Sequence, residues 1–401
     1  MCDSMSDDVN NFKIYEYNVL KKIGSGSSGT VYIANRLNDK EKYVLKTIKI
    51  RKDGEKKNGS VKLEDVQAEI NILKKISINK CIQNLLCYYD HFFTCENNIM
   101  KCVIVTKNFD DGITLKKFIE KNLSSRSEEL YAKKEIMMDK IYELNDELRN
   151  KNTVSSSNRL LQIKKHLKRD EYILEKINEQ LEENIILALD HDVLLRIMLN
   201  VLEAMVELNK LGVAHCDLKP DNILIKDETY EIQIIDFGQA CDTECVPKGT
   251  IIYSSPETLL NHLNYENTFN VKQLIKADIF SIGLIFYELA NGKLPFRLND
   301  YGYHSVKKLY DYYNTETILS MYNEDKYLID EEINLFIESM LTINRNIRPS
   351  IKYLIKDLKN MILKYDKIKN SIVMSPELNN STASTPQISK TPQVSPIIKN
   401  L

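Results

Sequence analysis

Long apolar runs are missing from this sequence. The best candidate, Ile282 to Ala290, falls far short of the roughly 20 residues that span a bilayer, and Glu288 interrupts it. No membrane association is therefore expected. A dominant charge is missing too: 55 Lys and Arg against 57 Asp and Glu leave a net charge of -2. That argues against nucleic-acid binding driven by bulk charge, and no nucleic-acid partner is expected. The eight cysteines are Cys2, Cys81, Cys87, Cys95, Cys102, Cys216, Cys241 and Cys245; they form no Cys-x-x-Cys pair, and no histidine falls at zinc-finger spacing. The N-terminal residues are acidic and polar, so no secretory signal is read there. With no Gly after Met1, myristoylation is not indicated. The expectation is an intracellular protein, cytoplasmic or nuclear, whose thiols are reduced. Glycine is scarce, 12 in 401 residues, so any concentration of it carries information.

What is there begins as strands. Tyr17 to Ile23, Thr30 to Asn35 and Tyr43 to Ile50 are short apolar or β-branched runs, split by Gly-rich or Asn-Asp turns. Val61 to Ile76 reads as a helix, with Val66, Ile70, Leu73 and Ile76 at steps of three or four. Leu85 to Phe93 and Lys101 to Thr106 read as two more strands. From Asp190 onward the pattern is mostly helical, apart from short strands around Ile223 to Ile225 and Ile232 to Ile235. A strand-rich beginning and a helix-rich remainder predict an α+β chain of two unlike lobes.

Residues 122–186 stand apart, dense in Lys, Glu and Asn and without Gly or Pro. One apolar stripe runs through Leu130, Ile136, Met137, Ile141, Leu144 and Leu148. A second runs through Leu160, Leu161, Ile163, Leu167, Ile173, Leu174, Ile177 and Leu181. We read a helical hairpin; a charged, partly disordered insertion is the alternative, and a protein partner is possible there. Residues 1–11 and 367–401 read as disordered. In the latter, Ser375, Thr385, Thr391 and Ser395 each precede a proline.

The densest chemistry lies in His215-Cys216-Asp217-Leu218-Lys219-Pro220-Asp221-Asn222. Asp217 can accept the proton of an attacking hydroxyl. Lys219 can neutralise charge on a phosphoryl group in flight. Asn222 offers a hard oxygen donor of the kind Mg²⁺ prefers. Upstream, Gly24-Ser25-Gly26-Ser27-Ser28-Gly29-Thr30-Val31 places three glycines within six positions. A β-rich run follows it rather than a helix, which separates it from a dinucleotide-binding loop. Alternation along the third strand puts Val44 and Lys46 on one face, pointing inward, and leaves Lys49 to solvent. A buried lysine needs an anion, and Glu69 on the first helix is the natural partner to orient it. Two apolar residues deliver Asp236 to the turn of Asp236-Phe237-Gly238.

These strings, with Gly249-Thr250 through Pro256-Glu257, Asp278 through Gly283, and Arg348-Pro349-Ser350, resemble the ordered motifs of eukaryotic-type protein kinases. Ser255 stands where the family usually has Ala before Pro-Glu, and Phe280 where it has Trp. The resemblance covers about residues 12–365 outside the insertion. It implies a small β-rich N-lobe at 12–108 and a larger helical C-lobe at 109–366, with ATP between them and a hinge around Val105 to Asp111. It implies Mg²⁺ on Asn222 and Asp236, and nucleotide contacts from Gly24, Ser25, Gly26, Gly29, Val31 and Lys46, with Glu69 orienting the lysine. Asp217 would be the base, and Lys219 with Thr250 would mark serine/threonine rather than tyrosine specificity on protein substrates. Arg348 would pair with Glu257 structurally.

One departure matters. Cys216 replaces the Arg that many kinases use to bind a phosphorylated activation loop, so activity without that phosphorylation is expected. A disulfide from Cys216 to Cys241 or Cys245 is disfavoured by a reducing compartment. His215 reads as a core histidine. A pseudokinase scaffold recruiting partners through the insertion and tail is the rival function, and the presence of Lys46, Glu69, Asp217, Asn222 and Asp236 together argues against it.

Overall fold

The computed structural model describes residues 16–26, 29–37, 41–51, 60–78, 80–96, 99–149, 157–182, 189–263, 266–296, 303–314 and 331–373. Residues 1–11 and 374–401, with the four Ser/Thr-Pro sites, lie outside them, whereas 367–373, read from the sequence as the start of the disordered tail, continue a helix that runs to Val373. Five strands make one antiparallel sheet in the order β1-β2-β3-β5-β4: β1 (Tyr17–Gly26), β2 (Gly29–Arg36), β3 (Lys42–Lys49), β4 (Tyr88–Glu96) and β5 (Ile99–Lys107). Alternation divides its faces. Tyr43 and Leu45 of β3 join Tyr17, Phe92, Val103 and Val105 in a small core on one side. Lys46 and Ile48 look to the other side, where Ile48 packs with Val66, Ile70 and Leu73 of helix α1 (Leu63–Ile76). The apolar spacing of α1 thus closes the sheet and brings its buried Glu69 toward β3.

β4 starts three residues later than the sequence pattern suggests. Asn84 takes a left-handed backbone, φ 66°, and residues 84–86 run beside Ile234 instead, with the Leu86 N–H donating to the Ile234 carbonyl at 3.0 Å. The same bend leaves the Cα atoms of Cys81 and Cys87 5.0 Å apart, within disulfide range, and these two cysteines are bonded. That corrects the expectation of reduced thiols throughout.

The remainder is helical around a second small sheet, β6 (Gly112–Thr114), β7 (Ile223–Lys226) and β8 (Ile232–Ile234). The helices are α2 (Leu115–Arg149), α3 (Ser157–Glu182), α4 (His191–Lys210), α5 (Pro256–His262), α6 (Val271–Asn291), α7 (Tyr303–Asn314), α8 (Glu331–Met340) and α9 (Ile351–Val373). Helix α6 is the axis: nearly every residue from Leu274 to Asn291 is buried. An Asn270–Gln273 capping box starts it, and Gly292, φ 71°, ends it. A small antiparallel sheet over a larger helical body is the two-lobed α+β kinase fold with a helical insertion.

The insertion forms two helices, all but the first two turns of α2 and all of α3, packed on each other. Leu130, Ile163 and Ile177 are buried in that seam, but Ile136 is 56% and Leu161 69% exposed. Two helices alone bury only a narrow seam, so stripes as wide as those read from the sequence cannot be covered entirely.

Candidate active site

Lys46 is anchored opposite Val31 of β2 in the sheet register. Its Nζ donates to Glu69 Oε1 and to Asp236 Oδ1, both at 2.7 Å. Burial works against the ammonium, but the charges of Glu69 and Asp236 outweigh it and hold the Lys46 pKa up at about 12. Burial likewise pushes the Glu69 carboxyl up, against the pull of Lys46. At Asp236, burial would raise the carboxyl, yet Lys46 prevails and holds it below the usual carboxylate range. One lysine thus joins sheet, helix α1 and the turn after β8. Lys49, at the end of β3, is exposed.

The second cluster surrounds Asp217. Its Oδ1 accepts from the Thr250 N–H and the Thr250 hydroxyl, each at 2.7 Å. Its Oδ2 accepts from Lys219 Nζ at 3.0 Å and Asn222 Nδ2 at 3.2 Å. Lys219 also donates to Thr250 Oγ1 at 2.8 Å. A carboxylate has about four lone-pair sites, so this one is saturated.

Beneath it the backbone is strained. Cys216 and Asp236 have φ of 62° and 61°, in a region that cysteine in particular seldom enters. Asp278, fully buried on α6, clamps the first: it accepts from the His215 N–H at 2.7 Å and the Cys216 N–H at 2.9 Å. Burial pushes the Asp278 carboxyl up to about 7 against the pull of those two N–H groups. His215 serves the same scaffold. Burial lowers its pKa, its Nε2 lies 3.0 Å from the Ile235 carbonyl, and its Nδ1 accepts from the Asp217 N–H at 3.3 Å. These bonds assign the neutral Nε2–H tautomer.

The glycine hairpin divides in two. A side chain at Gly24 or Gly26 would meet nothing within 4 Å, so the space over β1 is open; Ser25 between them is exposed. Gly29 is different: with φ of 135°, a Cβ there would stand 2.4 Å from the Thr47 carbonyl oxygen. That glycine is required by the approach of β3. Below the hairpin lies a cleft of about 860 Å³, lined by Gly26, Glu69, Asp217, Lys219 and Asp236 among others.

The donor set fits Mg²⁺. Asp236 brings a carboxylate, and Asn222 commits its Nδ2 to the Asp217 carbonyl and carboxylate at 2.8 and 3.2 Å, leaving Oδ1 as its available hard donor. No group of three or more His, Cys, Asp or Glu suited to a metal occurs among the described residues. Mg²⁺ is usually held by one or two carboxylates with phosphate and water oxygens, so a sparse protein contribution is in keeping.

The segment ending at Glu257 is pinned from below. Arg348, with a fully buried side chain, meets Glu257 with two parallel bonds of 2.6 and 2.8 Å. Its other donors reach the carbonyls of Thr342, Lys276 and Ile343, so all five N–H groups are used. One further anchor escapes the sequence motifs. Glu288, only 3% exposed, accepts from Lys116 Nζ at 2.8 Å and from the Tyr253 hydroxyl at 2.5 Å. The signal was a carboxylate inside an otherwise apolar run, which demands a partner. Asp278 was visible as a motif residue, but its grip on the backbone of residues 215 and 216 was not.

The family model of the protein kinase domain matches residues 17–129 and 101–358. The chain belongs to the protein kinase family. Among its relatives, a probable dual specificity protein kinase YAK1 homolog of Encephalitozoon cuniculi is 42% identical over 111 residues, 26% of this chain and 24% of that protein. Calcium-dependent protein kinase 6 of Plasmodium berghei is 39% identical over 112 residues, 26% of this chain and 7% of its own. Mitogen-activated protein kinase 12 of Mus musculus is 34% identical over 104 residues, 25% of this chain and 26% of its own. The chain thus spans about a quarter or less of these kinases. No helix among the described residues is long and apolar enough to cross a membrane.

Proposed function

We propose that the protein transfers the γ-phosphoryl group of ATP to serine or threonine hydroxyls of protein substrates, with Asp217 as the base. The observation that carries this reading is the pairing of two clusters across one cleft. Lys46, Glu69 and Asp236 form one; Asp217, Lys219, Asn222 and Thr250 form the other. Lys46 is placed to hold nucleotide phosphates, with Gly24, Ser25, Gly26, Gly29 and Val31 as the covering hairpin. Bound by Asp236 and Asn222, Mg²⁺ would neutralise phosphate charge.

The saturated Asp217 carboxylate implies an order of events. A substrate hydroxyl can reach it only by displacing a donor. Lys219 is the one whose alternative partner, the phosphoryl oxygens, arrives with the nucleotide. Lys219 therefore leaves Oδ2 for the phosphoryl group as the hydroxyl takes its place, while Thr250 and Asn222 hold the carboxylate. This couples acceptor entry to charge stabilisation in one movement.

Asp217→Asn tests the assignment. The variant should fold normally and lose about 10²–10⁴ in rate, the range for a positioned base, on peptide arrays with Mg²⁺ and labelled ATP. Wild-type rates in that variant would refute the base. A wild-type chain that transfers no phosphate would favour the scaffold reading instead.

A further inference from the structure

We propose that Lys75 and Asp242 are positioning residues: their ion pair is a second strut between helix α1 and the segment that follows Asp236, and it holds α1 where Glu69 meets Lys46. For its effect on catalysis this rests on the kinase reading above.

Helix α1 is tied to that segment at two points. One is the Lys46 ammonium, which bonds Glu69 and Asp236 at 2.7 Å each. The other is Lys75, in the last turn of α1, whose Nζ donates to Asp242 Oδ2 at 2.8 Å. Lys75 lies six residues beyond Glu69, and Asp242 six beyond Asp236. At 1.5 Å per helical residue the two struts stand about 9 Å apart along α1. One strut is a pivot; two fix the direction of the helix.

The far end of the outer strut is itself anchored. The Ala240 N–H donates to the Phe237 carbonyl at 3.0 Å, which closes a turn, and Cys241 and Ala214 exchange both backbone bonds at 2.9 Å. Ala214 directly precedes His215 and the stretch that carries Asp217. Lys75 therefore ties α1 to the backbone that supports the base, not to a free loop.

Little else can do this work between the two struts. There Ala68, Asn71 and Ile72 of α1 and Gln239 and Ala240 of the segment line the cleft, so the two elements face each other across open space rather than through apolar packing. The inner strut also holds less than its close charges suggest. Burial opposes the charge of both Lys46 and Glu69, and desolvation offsets much of the attraction in a buried pair. The side chains of Lys75 and Asp242 are 38% and 35% exposed, so that cost is smaller for them. The outer strut needs no phosphate on the segment, in keeping with Cys216 in place of an arginine.

Without the outer strut, α1 swings away for part of the time and Glu69 leaves Lys46. Nucleotide then binds only the fraction of molecules in which the inner pair is made, and its apparent affinity falls by that fraction. A partly exposed pair shifts such an equilibrium by about twofold to fivefold. Saturating ATP selects the held state, so kcat should stay within about twofold of wild type. A variant that merely weakened the fold would do the reverse, lowering kcat through the active fraction and leaving KM alone.

The test compares the full chain with Lys75→Met, Asp242→Asn and the double variant. Steady-state kinetics give kcat and the KM for ATP, calorimetric titration with Mg²⁺ and ATP gives Kd, and hydrogen exchange follows the amides of residues 63–76. Each single variant should raise KM and Kd by about twofold to fivefold and speed exchange in α1, and the double variant should lose no more than either single one, because one pair is removed in all three. Unchanged Kd and exchange in the single variants, losses that add in the double variant, or a fall in kcat with KM unchanged would overturn the proposal. If the wild-type chain transfers no phosphate, titration and hydrogen exchange still decide the strut, and the kinase reading is what fails.

Discussion

Thr250→Val is the sharpest probe of the Asp217 cluster. The change keeps the shape of the side chain and the Thr250 N–H bond to Asp217 Oδ1 at 2.7 Å. It removes two bonds: the hydroxyl to the same oxygen at 2.7 Å, and Lys219 Nζ to the hydroxyl at 2.8 Å. Each involves a charged group, and such bonds are worth about 1.5–3 kcal/mol. Lys219 retains its contact with Asp217 Oδ2, so only the first loss falls wholly on the orientation of the base. At about 1.4 kcal/mol per tenfold, kcat should fall by about tenfold to a hundredfold. The KM for ATP should change little, because the Lys46–Asp236 pair is untouched. Thr250→Ser restores the hydroxyl and should stay within about threefold of wild type, since both charged-group bonds return. Steady-state kinetics on one peptide, with urea unfolding as a fold control, measure this. Serine and valine variants that lose equal activity, or a valine variant with wild-type kcat, would show that the hydroxyl does not position Asp217.

Arg348→Met should destabilise the fold by about 3–5 kcal/mol, because it strands the Glu257 carboxylate. The double variant Arg348→Met with Glu257→Met should cost less than the single one, and urea midpoints compare them. Deleting residues 125–186 behind a short Gly-Ser bridge should leave peptide phosphorylation largely intact, because distal α2 and α3 pack on each other rather than supplying the cleft. Loss of activity with normal circular dichroism would mean that the hairpin braces a lobe.

What could be read from the sequence was what local periodicity controls. Strand alternation separated Lys46 from Lys49 because a two-residue period leaves no choice of face. The helix bearing Glu69 was visible for the same reason, with its apolar steps at three and four. Readings failed where a distant backbone decides. The apolar pair Leu85-Leu86 looks continuous with β4, but its backbone partner is Ile234, which no local pattern can indicate. Gly29 was read as a nucleotide contact and Gly249 only as part of a motif; each is required by a carbonyl from elsewhere, Thr47 in one case and Cys216 in the other. The same holds for chemistry. Glu288 interrupts an apolar run, so a partner was demanded by electrostatics alone, but only the fold shows that Lys116 and Tyr253 answer it. Cys216 was legible as a lost arginine. That Ala214, two residues before it, pairs with Cys241 depends on a strand-like backbone bridge, which brings segments far apart in sequence together. Residue type thus limits what a position can do, while non-local backbone pairing decides which of those capacities meet.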